Sequence, residues 1–301
     1  ARNFPQSYRD RGEGQMFRDL DKRRIRDFVR DAGQPCVAIF DVGTRAVRVV
    51  VAPKRVPDRW GDKSFCNDSV TANLGFDVGF SDFVLPLESR SLQMATYFVR
   101  SRSDFLAHLG VTEVSVIATA WIRWVTNQAE VLEHFERATG KRVEVIQQER
   151  EAELTIAALP EVMKRTSSGR HLRPGDLAML VDQGGGSLEV SWMEWGQRDA
   201  DRPIIGKYPL HRLGTVRLRQ QFFYHDKDGK ETTPEKNQAK VFAQIARIQE
   251  DARTQLTRDW PDRMTLLRTS GRRHAYAVGS AITGLFNNRT PHKIHERVVT
   301  R

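Results

Sequence analysis

Two carboxylates bracket a run of glycines at Asp182-Gln183-Gly184-Gly185-Gly186-Ser187-Leu188-Glu189, and the apolar stretch 177–181 leads straight into it. Glycines let backbone N–H groups turn toward an anion without Cβ interference, and such a nest at a strand end suits phosphate oxygens. Phosphate chemistry commonly uses Mg²⁺ held by one or two carboxylates plus waters, so Asp182 and Glu189 read as metal ligands beside a phosphate loop. The plainer alternative is a glycine-rich hairpin with solvated acids.

A second element of the same kind occurs earlier: Cys36-Val37-Ala38-Ile39-Phe40, then Asp41-Val42-Gly43-Thr44, then Arg48-Val49-Val50-Val51. Each reads as an apolar strand, a D-x-G turn and a returning strand. Two such hairpins imply two similar lobes. Between them lie Val116-Ile117-Ala118-Thr119-Ala120-Trp121-Ile122-Arg123-Trp124-Val125-Thr126-Asn127, a helical stretch at 131–139 and a strand, Val143-Glu144-Val145-Ile146. The charged run Gln147-Gln148-Glu149-Arg150-Glu151-Ala152-Glu153 follows.

In this order the motifs resemble those of the exopolyphosphatase and guanosine-pentaphosphate phosphatase family, within the actin, sugar kinase and Hsp70 ATPase superfamily. The family's I-D-x-G-S-N-S-x-R-L is matched by residues 40–49, its A-T-S-A-x-R-x-A-x-N by 118–127, and its V-x-V-I-S-G-x-E-E-A by 143–152. Its D-I-G-G-G-S-x-E is matched by 182–189, and L-P-L-G-x-V-R-L by Leu210-His211-Arg212-Leu213-Gly214-Thr215-Val216-Arg217-Leu218. The resemblance spans roughly residues 36–290. It implies an α/β protein with two ribonuclease H-like (actin-like ATPase) lobes and a cleft between them.

The resemblance also implies roles. Glu151 falls on the second acid of E-E-A and would orient or deprotonate the attacking water. That suits in-line attack on a terminal phosphoryl group, which needs a placed water and little covalent help. Asp41, Asp182 and Glu189 would hold Mg²⁺. Arg48 and Arg123 would grip phosphate oxygens bidentately, and Thr44, Thr119, Gly184, Gly185, Gly186 and Ser187 would add hydroxyl and backbone donors. Arg217 is a weaker candidate for the same task, and Asn127 reads as a brace of its local turn. Arg150 replaces the first acid of the pair and would favour the charged form of Glu151. The sequence departs from the pattern elsewhere too: Thr44-Arg45-Ala46 stands for S-N-S, Gln183 for Ile, Gln147-Gln148 for S-G, and Gly279-Ser280-Ala281 for a G-G-T loop. These changes imply a divergent member, and since the family normally continues with further helices, either a short form or a chain that ends early is expected.

Composition narrows the partners. With 301 residues the chain is long enough for two cores. No apolar run reaches the roughly 20 residues of a membrane span, and no signal-peptide pattern opens the sequence, so a cytoplasmic location is expected. Two scattered cysteines, Cys36 in an expected buried strand and Cys66 in an expected polar loop, argue against a structural zinc or disulfide. A net charge of +10 favours anionic partners. No signature of sequence-specific nucleic-acid reading is present. The reading leaves a homodimer open.

Residues 1–35 form a basic helical extension, with Met16, Phe17, Leu20, Ile25, Phe28 and Val29 near helical spacing amid Arg18, Lys22, Arg23, Arg24, Arg26 and Arg30. Docking on the first lobe is the plain expectation; a partner-binding or polyanion-binding arm, or a membrane-surface anchor, is the sharper one. Residues 36–160 make the first lobe, with an amphipathic helix at 92–109. Turn formers at 160–176 place the junction there, and 176–301 make the second lobe. Exopolyphosphatase activity is the leading expectation, 5′-phosphate removal from guanosine pentaphosphate the next. A non-catalytic phosphate-ligand sensor or scaffold is the alternative of another class, and a kinase-type ATPase is more distant.

Overall fold

The computed structural model describes residues 19–55, 65–79, 82–163, 172–196, 204–210, 214–216, 243, 246, 250 and 273–278. The chain divides into two units, Ala1–Ile146 and Gln147–Arg301.

The first unit is built outward from a hairpin. Strand β1 (Cys36–Val42) pairs antiparallel with β2 (Val47–Pro53), which pairs antiparallel with β3 (Cys66–Val70). On the other side of β1 lie two parallel strands, β4 (Glu113–Ala118) and β5 (Val143–Val145), giving the order β3-β2-β1-β4-β5. Period-2 alternation sorts the faces: Cys36, Ala38, Phe40 and Val42 of β1 and Val47, Val49 and Val51 of β2 are buried. Helices α2 (Leu74–Asp77), α3 (Arg90–His108), α4 (Ala120–Trp124) and α5 (Gln128–Thr139) contribute to the same unit. The Ser89 hydroxyl starts α3 by accepting from the Leu92 N–H at 3.4 Å. Phe98 of α3 meets Phe40 edge to face, with ring centroids 6.3 Å apart.

Within the extension, helix α1 (Asp19–Asp31) packs on the first unit against β2 and β3. Ile25 is wholly buried in the core, with Phe28 and Val29 packed beside it. The cationic side chains also help dock it, since Lys22 and Arg26 lie over the Phe105 ring at 5.9 and 6.0 Å. Residues 7–14 and Arg18 lie outside the described residues. Cys66, expected in a polar loop, is buried in β3; every second residue of that short polar strand, Cys66, Asp68 and Val70, faces the core.

An aspartate can face a core only with a partner. Asp68 accepts from Arg102 Nε of α3 at 2.6 Å, and Arg102 is 1% exposed with its guanidinium 5.4 Å from the Phe98 ring centre.

The second unit repeats the scheme. Strands β6 (Leu177–Gln183) and β7 (Leu188–Glu194) form the hairpin, β8 (Ile204–Leu210) extends it antiparallel, and β9 (Arg273–Val278) joins β6 in parallel, giving β8-β7-β6-β9. Helix α6 (Gln148–Met163) crosses β6, β7 and β8. Its Ile156, Leu159 and Met163 pack with Leu172, Ala178, Leu180 and Met193. At the opposite end of the sheet from the glycine turn, His274 Nε2 meets Asp176 Oδ2 at 3.2 Å, both buried.

The division at 146–147 differs from the junction read at 160–176, because α6 continues through Pro160 to Met163 and belongs with the second sheet. A proline near a helix end loses one backbone bond, and burial of Leu159 and Met163 on the sheet offsets it. The helix expected near residues 241–248, the aromatic run 222–224 and the loop 279–283 lie mostly or wholly outside the described residues.

A buried ion pair is costly to break from one side. Arg102→Met should destabilise the protein by about 3–5 kcal/mol in urea denaturation, leaving Asp68 charged and buried, whereas Asp68→Asn combined with Arg102→Met should recover most of the loss. Equal stability of the single and double variants would show that the pair carries no coupling.

Candidate phosphate and metal site

Both hairpin turns close in the same way. The Gly43 N–H donates to the Ala46 carbonyl at 3.0 Å, and the Gly184 N–H to the Ser187 carbonyl at 3.0 Å. In each turn the carbonyls are then held by a short following segment. Gly75 and Asn73 N–H groups donate to Thr44 and Arg45 carbonyls at 2.9 and 2.8 Å. Thr215 and Val216 N–H groups donate to Gly184 and Gly185 carbonyls at 3.1 and 2.7 Å. Fixing the carbonyls on one side turns the peptide N–H groups toward the other, which is how a backbone nest is made.

Gly214 makes the second closure feasible. A Cβ there would sit 2.1 Å from the Gly186 carbonyl carbon and 2.4 Å from Ser187 N, so only glycine allows this approach of two backbones. Ser187 is buried at the turn, and Gly184, Gly185 and Gly186 form its arc.

The first hairpin carries Asp41 at the end of β1, half-buried, directly opposite exposed Arg48 on β2. Thr44 is buried. The end of β1 is braced from α4: the Val42 carbonyl accepts the buried Trp121 indole N–H at 2.7 Å and the Thr119 N–H at 3.4 Å. Thr119 is thus a buried residue at the start of α4. Arg123 donates to the Ile146 carbonyl at 2.7 Å, so it also anchors backbone. Asn127, expected to brace its local turn, instead exchanges two bonds with the distant Leu85 backbone at 3.1 and 3.0 Å.

The second hairpin sets two acids opposite each other, with a third within electrostatic reach. Asp182 and Glu189 are direct cross-strand partners, a relation that sets Cβ atoms about 4.5–5.5 Å apart on one face and disfavours like charges. Glu151, in the first turn of α6, lies close enough to act on Glu189. Glu189 is 2% exposed. Burial first, then the Glu151 charge and more weakly that of Asp182, push its carboxyl up to about 8, against the pull of hydrogen bonds from Ser187 and Gln148. Burial likewise raises Asp182 above the usual range, opposed by a Thr155 hydrogen bond. Thr155 Oγ1 lies 3.2 Å from Asp182 Oδ2 and 2.9 Å from the Glu151 carbonyl.

Among the described residues no three His, Cys, Asp or Glu side chains are gathered into a ready-made metal cage. Mg²⁺ ordinarily needs only one or two carboxylates, completing its shell with water and substrate oxygens. The Asp182–Glu189 pair supplies hard oxygen donors whose mutual repulsion a cation would relieve, so its chemistry fits that ion.

Sequence reasoning missed Trp121, Thr155 and the contacts of Gln148. Thr155 stands one helical turn after Glu151, a spacing that could have signalled it. Arg150, expected to act on Glu151, pairs with Glu153 at 3.2 Å. Arg212 and Arg217 lie outside the described residues.

The model of the Ppx/GppA phosphatase family matches residues 91–281. The chain belongs to this family. It is similar in structure to an exopolyphosphatase-like protein, at 20% identity over 87% of this chain and 71% of that one, with a TM-score of 0.60. An exopolyphosphatase from Cytophaga hutchinsonii aligns at 16% identity over 86% and 72%, with a TM-score of 0.57. The Aquifex aeolicus Ppx/GppA family member aligns at 22% over 87% and 72%, with a TM-score of 0.55. No curated protein matches the sequence. These likenesses establish the α/β, actin-like ATPase fold. Family membership makes the chain one of a group of phosphatases, and the 182–189 hairpin, α6 and Gly214 all fall within the matched residues. No helix among the described residues is long and apolar enough to cross a membrane.

Two outcomes test this geometry. Because the folded value of Glu189 lies above its ordinary 4.5, the folded state keeps a proton that the unfolded chain has released. Its contribution to stability is therefore present below about pH 4.5 and lost as pH rises through about 8. In metal-free buffer, Glu189→Gln should flatten the decline of stability between pH 5.5 and 8.5 and leave the variant more stable at pH 8.5, by on the order of 3 kcal/mol. Parallel pH profiles of parent and variant would refute the assignment. Gly214→Ala should lower the unfolding midpoint and reduce affinity for phosphate ligands together, because the added methyl collides with the turn backbone; an unaltered melting curve would show that the approach is looser than described.

Proposed function

We propose that this protein is an exopolyphosphatase, a Mg²⁺-dependent hydrolase that removes the terminal phosphate of linear polyphosphate. The observation that carries this reading is the Asp182–Glu189 pair, within electrostatic reach of Glu151, at a glycine turn whose carbonyls are tied back. Buried like charges are retained against their cost where a ligand compensates them. Similarity to an exopolyphosphatase-like protein and to an exopolyphosphatase supports the choice of reaction, and the net charge of +10 supports a long anionic substrate.

In this mechanism the Gly185, Gly186 and Ser187 N–H groups and the Ser187 hydroxyl cradle the terminal phosphate. The Glu151 carboxylate accepts the proton of the attacking water as its oxygen approaches phosphorus in line with the bridging oxygen that leaves. Asp182 and Glu189 would hold Mg²⁺, which supplies charge neutralisation of the phosphate oxygens when bound. Arg48 and Asp41 stand at the matching positions of the first hairpin and serve as further contacts to phosphate and metal. Arg123, Thr44 and Thr119 also keep their proposed place in phosphate binding, although each has a structural task in the first unit. Exposed Arg23, Arg24 and Arg26 on docked α1 add a basic surface rather than a free arm.

Phosphate release from polyphosphate, guanosine pentaphosphate and ATP, measured side by side, tests the reading. Polyphosphate should be preferred, and Glu151→Gln should lower kcat by about 10²–10⁴ with KM little changed, since a base acts mainly in the transition state. Preference for guanosine pentaphosphate would move the assignment to the sister reaction. Binding of one of these without turnover would make the protein a sensor.

A further inference from the structure

At residue 148 the family pattern has a glycine and this chain has a glutamine, whose side chain is 2% exposed. It does not merely fill space. Nε2 donates to Glu189 Oε1 at 2.6 Å and to the Leu188 carbonyl at 3.3 Å, placing both amide hydrogens on β7. The first of these is short for an amide donor. Gln148 is also the first residue of α6, and Glu151 follows one turn later with its N–H bonded to the Gln147 carbonyl at 3.0 Å. The other end of the same turn is held by Thr155 and by Ser191 Oγ, which lies 3.4 Å from the Ala152 carbonyl.

We infer that Gln148 is a positioning residue that ties the first turn of α6, and with it Glu151, to the carboxylate pair of the β6–β7 hairpin. A helix end would otherwise fray, and a base must stay within a few tenths of an ångström of its working place to be effective. The tie also gives Oε1 of Glu189 a fixed donor. Glycine at this position has no side chain with which to do either. The Gln148 Oε1 atom is buried without a hydrogen-bond partner, so the side chain is held by its two donor bonds alone, and removing them leaves nothing to fix its orientation. This inference rests on the phosphatase reading of the same acids, but the latch itself is a matter of hydrogen bonds.

The test compares the parent with Gln148→Met, which keeps the volume but has no donor, and Gln148→Gly, which restores the family residue. Hydrogen exchange of the Glu151 and Ala152 amides should quicken by about tenfold or more in both variants. Mn²⁺ dissociation constants, read by electron paramagnetic resonance, should rise by about 10–100-fold, the usual effect of losing a group that orients a metal ligand. In phosphate release from polyphosphate, kcat should fall by a similar factor while KM stays within about twofold, whereas a merely misfolded variant would lose active sites and exchange protection throughout. Unchanged exchange at Glu151 and Ala152 in a folded Gln148→Met protein would overturn the latch, and so would a Gln148→Gly protein with the parent's exchange and Mn²⁺ affinity. If the parent releases phosphate from no substrate, the phosphatase reading falls while the exchange data still decide the latch.

Discussion

A hairpin turn that ends in the middle of a sheet must satisfy its own carbonyls before its N–H groups can serve a ligand. That constraint organises both units. The bonds from Asn73 and Gly75 in one and from Thr215 and Val216 in the other do this work, and each requires a short segment to return to the hairpin across its turn. Gly214 is the steric condition for that return in the second unit. The flanking strands follow the same order around both hairpins, which is what two versions of one local solution would produce.

The versions differ in charge. At the same register position the first hairpin sets Asp41 opposite Arg48, and the second sets Asp182 opposite Glu189. The first pair carries opposite charges, with Arg48 exposed and Asp41 half-buried. Two acids facing each other beneath α6, with Glu151 added, are compensated only by protons or by an external cation. The raised positions of Asp182 and Glu189 express that deficit. One scaffold thus supplies a side with neutral balance and a side that calls for positive charge, by exchanging a single residue type on the returning strand.

The hairpins were legible because strand periodicity and D-x-G turns are local signals, and so were the helices bounded by 90–108 and 128–139. The site acids were legible by motif alone. What escaped were properties created by packing. Nothing in the polar string Cys66-Asn67-Asp68-Ser69-Val70 announces a strand until Arg102, on α3, supplies the partner that lets Asp68 face the core. The end of α6 was hidden by Pro160, a local breaker overruled by burial of Leu159 and Met163. Gln148 looked like a loss because only the absent glycine could be seen; its partner Glu189 stands 41 residues away. Trp121 could be read as core, but not its bond to the carbonyl that closes β1.

The place of α1 has a consequence for how the chain is made. Its apolar face rests on β2 and β3, and β3 begins at Cys66, well after α1 ends at Asp31. At synthesis rates of about 5–20 residues per second, the helix waits roughly 2–8 s for β3 to be completed at Val70. During that interval Ile25, Phe28 and Val29 have no native surface to cover them, and the Arg and Lys residues interleaved with them keep the nascent segment hydrated. The basic residues of α1 therefore have a use before any substrate is met, as solubilising escorts for a helix that is translated before the sheet that receives it.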